Sequence, residues 1–211
     1  MRPFSSVALG GRPERSEGEP DLSAFASDPT SDTWNHIVYA AIHLGAPPTA
    51  LGSALLSAAC ELPLIIGLLV SAGCLLRDRE WGGVLVGLCA TGLAIASEAF
   101  ISWAAYQPRP FAAGYGPAWV AHAANNSMPS THVTVSCIWA MVLATRRHAG
   151  GALAVGVCAA LMAWARVAAG IHWPQDILGA AVGSIVSVII AVSGVRVGER
   201  WNLYRVRGPR A

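Results

Sequence analysis

The chain contains no lysine, and all fourteen of its basic residues are arginine. Charged residues make up only 12% of its 211 residues, whereas an ordinary soluble domain has about a quarter. Hydrophobic residues make up 54%, and the mean hydropathy is +0.49. This composition excludes an ordinary soluble domain and predicts an integral membrane protein in contact with the lipid bilayer. No nucleic-acid partner is expected.

Paired cysteines are also missing. The five cysteines all lie inside apolar runs and show no spacing typical of a disulfide framework or a zinc site. We therefore interpret them as small apolar packing residues. They are Cys60, Cys74, Cys89, Cys137 and Cys158.

The first 33 residues are polar and rich in Gly, Pro and Ser, and they carry six acidic residues. They contain no apolar core of the kind found in a cleaved signal peptide, so we predict a disordered acidic tail. The next segment, 34–44, is too short to span a bilayer, and Trp34 and Tyr39 suit a membrane interface. It is predicted to be a short interfacial helix.

The remaining chain divides into apolar runs separated by polar or glycine- and proline-containing junctions. The fold class predicted is an all-α membrane bundle of about five transmembrane helices plus the short interfacial helix. The membrane domain would occupy 34–197, and 198–211 would form a basic cytoplasmic tail. The predicted spans are 50–76, 81–105, 129–145, 149–169 and 176–195.

Arginines are concentrated on one side of this predicted bundle. The 77–80 loop, the 146–148 loop and the C-terminal tail together hold nine, which identifies them as cytoplasmic. Arg109 and Arg166 lie instead near the opposite face. A single arginine at the end of a span is usually explained by snorkelling, but two converging on one face favour an anion site.

The junction between the last two spans carries a histidine and an aspartate. Gly170 suits the position just after a helix, and Pro174 suits the first turn of the next one, so His172 falls between them. Asp176 would lie in that first turn, where the helix dipole favours a carboxylate. It could hold one ring nitrogen of His172 and leave the other free to act as a nucleophile or base.

A second polar cluster precedes the third span. Asn126 or Ser127 is expected to cap a helix that Pro129 begins, which leaves backbone N–H groups unpaired at its N-terminus. Such a helix end binds anions. The residues around these groups are Ser130, Thr131 and His132.

These clusters together suit a phosphoryl group. Arg109 and Arg166 can each grip two phosphate oxygens, and the Ser130 hydroxyl adds another donor. His172 can attack phosphorus to give a phosphohistidine, while His132 protonates the leaving oxygen and later activates water. This chemistry requires no metal and no cofactor.

Two acidic residues lie within predicted spans and should face the bundle interior or a wet cavity. Glu98 could pair with an active-site arginine. Glu61 could support hydrogen bonding in a lysine-free site or sense a diphosphate. Either could equally be a protonated or hydrogen-bonded packing residue. Among the other histidines, only His122 is expected near the mouth of the site.

The same residues resemble a known family. Arg109-Pro110, the run from Pro129 to His132, and the stretch from Arg166 through His172 to Asp176 resemble the three motifs of the type 2 phosphatidate phosphatase superfamily. The resemblance covers roughly 50–195 and implies a helical membrane phosphatase. It implies His172 as nucleophile, Asp176 as its orienting partner and His132 as general acid. The phosphate contacts it implies are Arg109, Ser130, Thr131 and Arg166.

Within that superfamily the sequence is most similar to bacterial undecaprenyl-diphosphate phosphatases of the bacitracin-resistance type. The similarity is carried by 108–111, 122–127 and 163–174. It implies hydrolysis of the lipid carrier diphosphate to the monophosphate, so that the carrier is reused in cell-wall synthesis. It also implies a site on the outer face of the bacterial cytoplasmic membrane, which agrees with the arginine distribution.

Three positions depart from the superfamily pattern. Ser102 stands where a lysine is common, and loss of that lysine fits the bacitracin-resistance branch. Thr131 replaces a glycine or aspartate and should narrow the pocket. Ala165 replaces a serine and removes a hydroxyl that could contact phosphate. All three changes bear on which lipid phosphate is accepted.

Three alternatives stay open at this point. The same chemistry could act on phosphatidate, phosphatidylglycerophosphate or a lipid A phosphate. The protein could be a transporter or another non-enzymatic membrane protein that only binds an anion, although His132, His172 and Asp176 together argue against this. Those three residues could also hold a metal ion. Protein partners and oligomeric state have no signature in the sequence.

Overall fold

The computed structural model describes residues 33–207, with side chains from 34 to 198. This part of the chain contains six helices and no strand, so the predicted all-α fold is confirmed. The predicted acidic tail, 1–33, lies outside the described residues except for its last position. The helices are α1 (Thr33–Ile42), α2 (Ala50–Arg77), α3 (Trp81–Ala104), α4 (Thr131–Thr145), α5 (Ala149–Ala168) and α6 (Pro174–Arg207).

Four of these helices are long and apolar enough to cross a membrane. They are α2, α3, α5 and the Pro174–Gly198 part of α6, with hydropathy between 1.7 and 2.2. The fifth predicted span, α4, is apolar but has 15 residues, fewer than the roughly 20 that a full crossing needs. The last helix continues past the predicted end of its span at Val195 to Arg207.

The short helix α4 lies at the centre of the bundle and packs against α2, α3, α5 and α6. One polar side chain joins it to α6 within the apolar core, because Ser184 Oγ donates to the Thr134 backbone carbonyl at 3.0 Å. On α3, Gly87 leaves room for the Trp139 ring of α4. Side chains at the start of α4 are therefore held on a closely packed element.

The arginine-rich loops lie together at one end of the bundle. Arg146 NH1 is 3.5 Å from Glu80 Oε2, and His148 Nδ1 is 3.8 Å from Asp78 Oδ2. Because α2 and α4 end there while α3 and α5 begin there, the opposite end collects the 105–130 loop and the 169–173 junction. The residues predicted to carry chemistry share that second end.

The helix α1 packs across this second end. Leu44, two residues after the end of α1, accepts a hydrogen bond from Trp119 Nε1 at 2.6 Å and donates its own N–H to the Ala168 carbonyl at 3.1 Å. At the start of α1, Asn35 Oδ1 accepts a hydrogen bond from the Gln175 N–H at 3.0 Å. The rings of Tyr39, His36 and Tyr115 surround Trp173. Thus α1 holds the 105–130 loop against the ends of α5 and α6.

Candidate active site

The α5–α6 junction places His172 and Asp176 in contact, as the sequence predicts. Gly170 ends α5 with φ +77°, and a side chain there would meet the Pro117 carbonyl 2.6 Å from its Cβ. His172 Nδ1 then lies 3.1 Å from Asp176 Oδ2. The same carboxylate oxygen accepts the Trp173 N–H at 2.8 Å. The turn between the helices thereby fixes the orientation of the imidazole.

A third group contacts the same carboxylate oxygen, whereas Asp176 Oδ1 is buried without a partner. Ser127 Oγ donates to Asp176 Oδ2 at 2.5 Å, and both residues are fully buried. Three groups, Ser127 Oγ, the Trp173 N–H and His172 Nδ1, converge on this oxygen, and a carboxylate oxygen acts as the acceptor. The Nδ1 of His172 therefore carries the proton, and Nε2 is the nitrogen with a free electron pair.

Arg109 from the long loop lies beside that nitrogen. Its NH1 is 3.0 Å from His172 Nε2 and donates to the Ile171 carbonyl at 2.7 Å. Its Nε donates to Asn125 Oδ1 at 2.9 Å, and NH2 donates to the Asn126 carbonyl at 3.1 Å. The guanidinium is held in one orientation against the predicted nucleophile.

The electrostatics favour a neutral His172. Burial lowers the pKa of His172 from 6.5 to about 4, Asp176 opposes that shift, and the cations Arg109 and Arg166 add to it. Burial and the neighbouring Arg166 also lower the pKa of Arg109 to about 10, so it remains a cation at neutral pH. A neutral imidazole beside a cation is suited to attack an anionic phosphoryl group.

Arg166 is the second cation, and its side chain is almost completely buried. NH1 donates to the Cys60 carbonyl at 3.1 Å and lies 3.3 Å from Glu61 Oε1. NH2 is 3.2 Å from His122 Nε2, and Nε has no hydrogen-bond partner. Glu61 also contacts the second predicted catalytic histidine, because its Oε2 is 2.9 Å from His132 Nε2.

The N-terminus of α4 differs from its predicted form. The expectation that Asn126 or Ser127 caps a helix beginning at Pro129 is wrong: α4 begins at Thr131, and Ser130 is its N-cap. Ser127 instead bonds to Asp176, as described above. The buried Ser130 Oγ has no partner and makes no cap bond, so it is free to donate to a ligand oxygen.

Asn126 has a different role in the long loop. Its Oδ1 accepts from the Gln107 N–H at 2.7 Å, and its Nδ2 donates to Ser102 Oγ at 3.0 Å and to the Met128 carbonyl. Ser102, at the position of the missing lysine, therefore helps to hold the loop that carries Arg109.

Thr131 and Glu98 contact each other rather than the groups that the sequence suggests. Thr131 Oγ1 donates to Glu98 Oε1 at 2.5 Å. In the described part of the chain this carboxylate bonds threonine and not an arginine, which differs from the pairing considered for Glu98. The backbone N–H of Thr131 lies at the start of α4 and stays a predicted phosphate contact.

The structure brings His122 closer to the site than sequence reasoning placed it. Its ring centroid is 6.1 Å from that of His172, with the rings edge to face. Burial, with the cations Arg109 and Arg166, lowers the pKa of His122. The signal in the sequence was its place in the loop that leads to the second motif, but only the fold shows its contact with Arg166.

Within residues 33–207 as described, no group of three or more His, Cys, Asp or Glu side chains is arranged to hold a metal ion. Around His172 the structure instead assembles two guanidiniums, an unpartnered serine hydroxyl and the start of α4. These groups are donors or cations, and they suit a phosphate anion.

In comparisons with known proteins, residues 81–199, more than half of the chain, match the family model of the PAP2 superfamily. A protein of Escherichia coli (strain K12) named "Putative undecaprenyl-diphosphatase YbjG" is 36% identical over 104 residues. That match covers 47% of this chain and 52% of the relative, so the chain spans about half the length of the curated relative it matches.

Two solved structures share the fold. The crystal structure of Aquifex aeolicus LpxE has a TM-score of 0.54 at 20% identity, covering 77% of this chain and 97% of that one. A transmembrane PAP2-type phosphatidylglycerolphosphate phosphatase from Bacillus subtilis has a TM-score of 0.58 at 18% identity, covering 82% and 89%. At these identities the likeness concerns the fold.

Proposed function

This chain belongs to the PAP2 superfamily, and we propose that it is a membrane phosphatase acting on undecaprenyl diphosphate or a related polyprenyl diphosphate. The products are the lipid monophosphate and inorganic phosphate, and the reaction recycles the lipid carrier of cell-wall synthesis. One observation carries the chemical part of the proposal. His172 has one nitrogen held by Asp176 and the other facing Arg109, beside polar groups that lack partners.

The first half-reaction transfers the terminal phosphoryl group to the enzyme. His172 Nε2 attacks the terminal phosphorus, and the bond from phosphorus to the bridging oxygen breaks in line. The electron pair of that bond leaves on the bridging oxygen of the lipid monophosphate. His132 acts as the general acid that can protonate this oxygen. Arg109, Arg166 and Ser130 stabilise the charge on the transferred oxygens.

The second half-reaction restores the enzyme. A water molecule attacks the phosphohistidine, the phosphorus–Nε2 bond breaks, and the proton of the water passes to His132. Asp176 stabilises the imidazole of His172 as its charge changes. Each step uses only residues already present at this end of the bundle.

The choice of a polyprenyl diphosphate is supported by the 36% identity to the named Escherichia coli relative and by the motif sequences that surround Arg109, His132 and His172. The proposed location is the bacterial cytoplasmic membrane, with several spans. The site would face the exterior or periplasm, because the arginine-rich loops at the opposite end favour the cytoplasmic side.

The test is phosphate release by the purified wild-type protein and His172→Ala from undecaprenyl diphosphate, beside phosphatidate, in detergent with a chelator. Release that prefers the diphosphate, resists the chelator and is lost in the variant is the expected result. Release from phosphatidate alone would retain the mechanism and overturn the substrate. Full activity in His172→Ala would overturn the covalent mechanism, and loss of wild-type activity with chelator would indicate a metal enzyme.

A further inference from the structure

Helix α2 brings Glu61 between two residues of the proposed machinery. One carboxylate oxygen is 2.9 Å from His132 Nε2, and the other is 3.3 Å from Arg166 NH1. The Glu61 side chain is 56% exposed while that of Arg166 is 2% exposed, so the carboxylate lies at the edge of the buried site. A glutamate within a predicted span is unfavourable unless it has such partners.

The contact leaves one nitrogen of His132 available. A neutral imidazole has one protonated and one unprotonated nitrogen, and a carboxylate beside Nε2 keeps the proton on that atom. Neutral His132 can then accept a proton from water at Nδ1, and the imidazolium that results can give that proton to a leaving oxygen while Glu61 holds Nε2–H. Asp176 has the same relationship to His172 on the other side of the site.

The contact also leaves Nε of Arg166 without a partner. Glu61 and the Cys60 carbonyl both use NH1, while Nε has no partner. A phosphate oxygen can therefore bond to Nε without displacing Glu61. The carboxylate orients the guanidinium from the edge of the site and need not occupy the phosphate position.

We propose that Glu61 is the positioning residue for the general acid–base His132, and that it also fixes the orientation of Arg166. This inference rests on the function proposed above and deepens it. In the first half-reaction, the phosphorus–oxygen bond breaks as the His172 Nε2–phosphorus bond forms, and the imidazolium form of His132 gives its Nδ1 proton to the leaving oxygen and becomes neutral, with its remaining proton on Nε2 beside Glu61. In the second, Nδ1 accepts the proton of water as the phosphorus–nitrogen bond breaks.

The two half-reactions depend unequally on His132 when the substrate is a diphosphate. A phosphate monoester is a good leaving group and departs with little help from an acid, whereas attack by neutral water needs a base. Loss of the Glu61 carboxylate should therefore slow hydrolysis of the phosphohistidine more than its formation. The phosphoenzyme would then accumulate, which a general structural defect would not cause.

The experiment follows undecaprenyl diphosphate radiolabelled in its terminal phosphate by rapid quench, with the full-length protein in detergent. In Glu61→Gln, steady-state turnover should fall about 10²-fold, at the low end of the range for general acid–base catalysis. Acid-labile label on histidine should rise to nearly one per enzyme molecule. His132→Ala should show the same accumulation, and Glu61→Asp should recover part of the turnover.

The matched control is Glu80→Gln, which removes a glutamate that contacts Arg146 at the opposite end of the bundle. It should retain wild-type turnover and labelling. Wild-type kinetics in Glu61→Gln would overturn the role of Glu61 and leave the proposed function standing. Equal slowing of both half-reactions at an unchanged thermal midpoint would have the same meaning. Absence of any labelled histidine in the wild type and in His132→Ala would overturn the covalent route and this inference with it.

Discussion

Arg109 NH1 lies 3.0 Å from His172 Nε2, on the nitrogen that Asp176 does not hold. The arginine comes from the long loop between α3 and α4, and the histidine comes from the α5–α6 junction. Their contact defines the point at which a phosphoryl group would meet both its nucleophile and a cation. It also helps to keep Nε2 unprotonated, since a neighbouring positive charge disfavours the imidazolium.

The guanidinium group of Arg109 should be difficult to replace. Arg109→Lys keeps the charge but cannot reproduce the contacts of Nε, NH1 and NH2 with the loop and the histidine. Loss of one hydrogen bond to a charged group is worth about 1.5–3 kcal/mol, so kcat/KM should fall roughly 10- to 100-fold. The measurement is initial rates of phosphate release. Arg77→Lys, at the arginine-rich end, is the matched control, and equal rates in the two variants would contradict this prediction.

Asp176 should act through the tautomer of His172. Asp176→Asn offers an amide whose N–H can face Nδ1 and so place the imidazole proton on Nε2, the nitrogen that must attack. The comparable substitution in a serine protease triad lowers kcat about 10⁴-fold, and we expect a loss of roughly 10³- to 10⁴-fold here. Rapid-quench labelling should show slow phosphohistidine formation. Asp78→Asn is the control, and rapid labelling of the Asp176 variant would argue against the assigned tautomer.

On the acid side of the pH–rate profile, kcat/KM should fall only at an unusually low pH. Burial lowers the pKa of His172 to about 4, so its nucleophilic neutral form should persist well below the ordinary histidine value of about 6.5. Falling pH protonates Nε2 only near pH 4, and kcat/KM should halve there. A pH–rate profile, with the thermal midpoint followed at each pH to separate unfolding, checks this. An acid limb near 6.5 would show that His172 is not protected from protonation.

The same shift predicts how stability depends on pH. The folded pKa of His172 is below its unfolded value, so the unfolded chain binds this proton more readily. Its contribution to folding stability is present above about pH 6.5 and declines as pH falls towards 4. His172→Gln should therefore lose less stability than wild type over that interval, as measured by thermal unfolding in detergent. Parallel pH curves for the two proteins would contradict the linkage.

The contact between α3 and α4 should tolerate no added volume. A Cβ at Gly87 would lie 2.5 Å from the Trp139 ring, so Gly87→Ala must displace a large side chain of the core. We expect a loss of about 1–3 kcal/mol in the free energy of unfolding. Gly92→Ala on the same helix is the matched control, because its Cβ would meet nothing within 4 Å. Similar thermal midpoints for the two variants would show that this packing is looser than described.

Features that depend on neighbouring residues could be predicted from the chain alone. The starts of α2, α3 and α5 match their predicted positions because a span begins and ends where an apolar run begins and ends. The His172–Asp176 contact was also predictable, because the two residues flank one helix start and lie within one turn of each other.

The contacts of polar side chains across the bundle were not determined in this way. Sequence reasoning assigned Ser127 or Asn126 to the cap of α4, but Ser127 bonds to an aspartate 49 positions later. Glu61 had several possible roles, and its contacts with His132 and Arg166 join residues 71 and 105 positions away.

The sequence by itself thus determined the membrane class and the order and approximate bounds of the helices, and it supplied the residues proposed for phosphoryl chemistry. Hydrophobicity and helix-end chemistry act over a few neighbouring residues, so a linear pattern is enough to reveal them. Only the tertiary structure decided that Arg109 faces His172, that Ser130 stands at the N-cap position of α4 with an unpartnered hydroxyl, and that Glu61 joins His132 to Arg166. Those outcomes depend on which helix faces meet when the bundle packs.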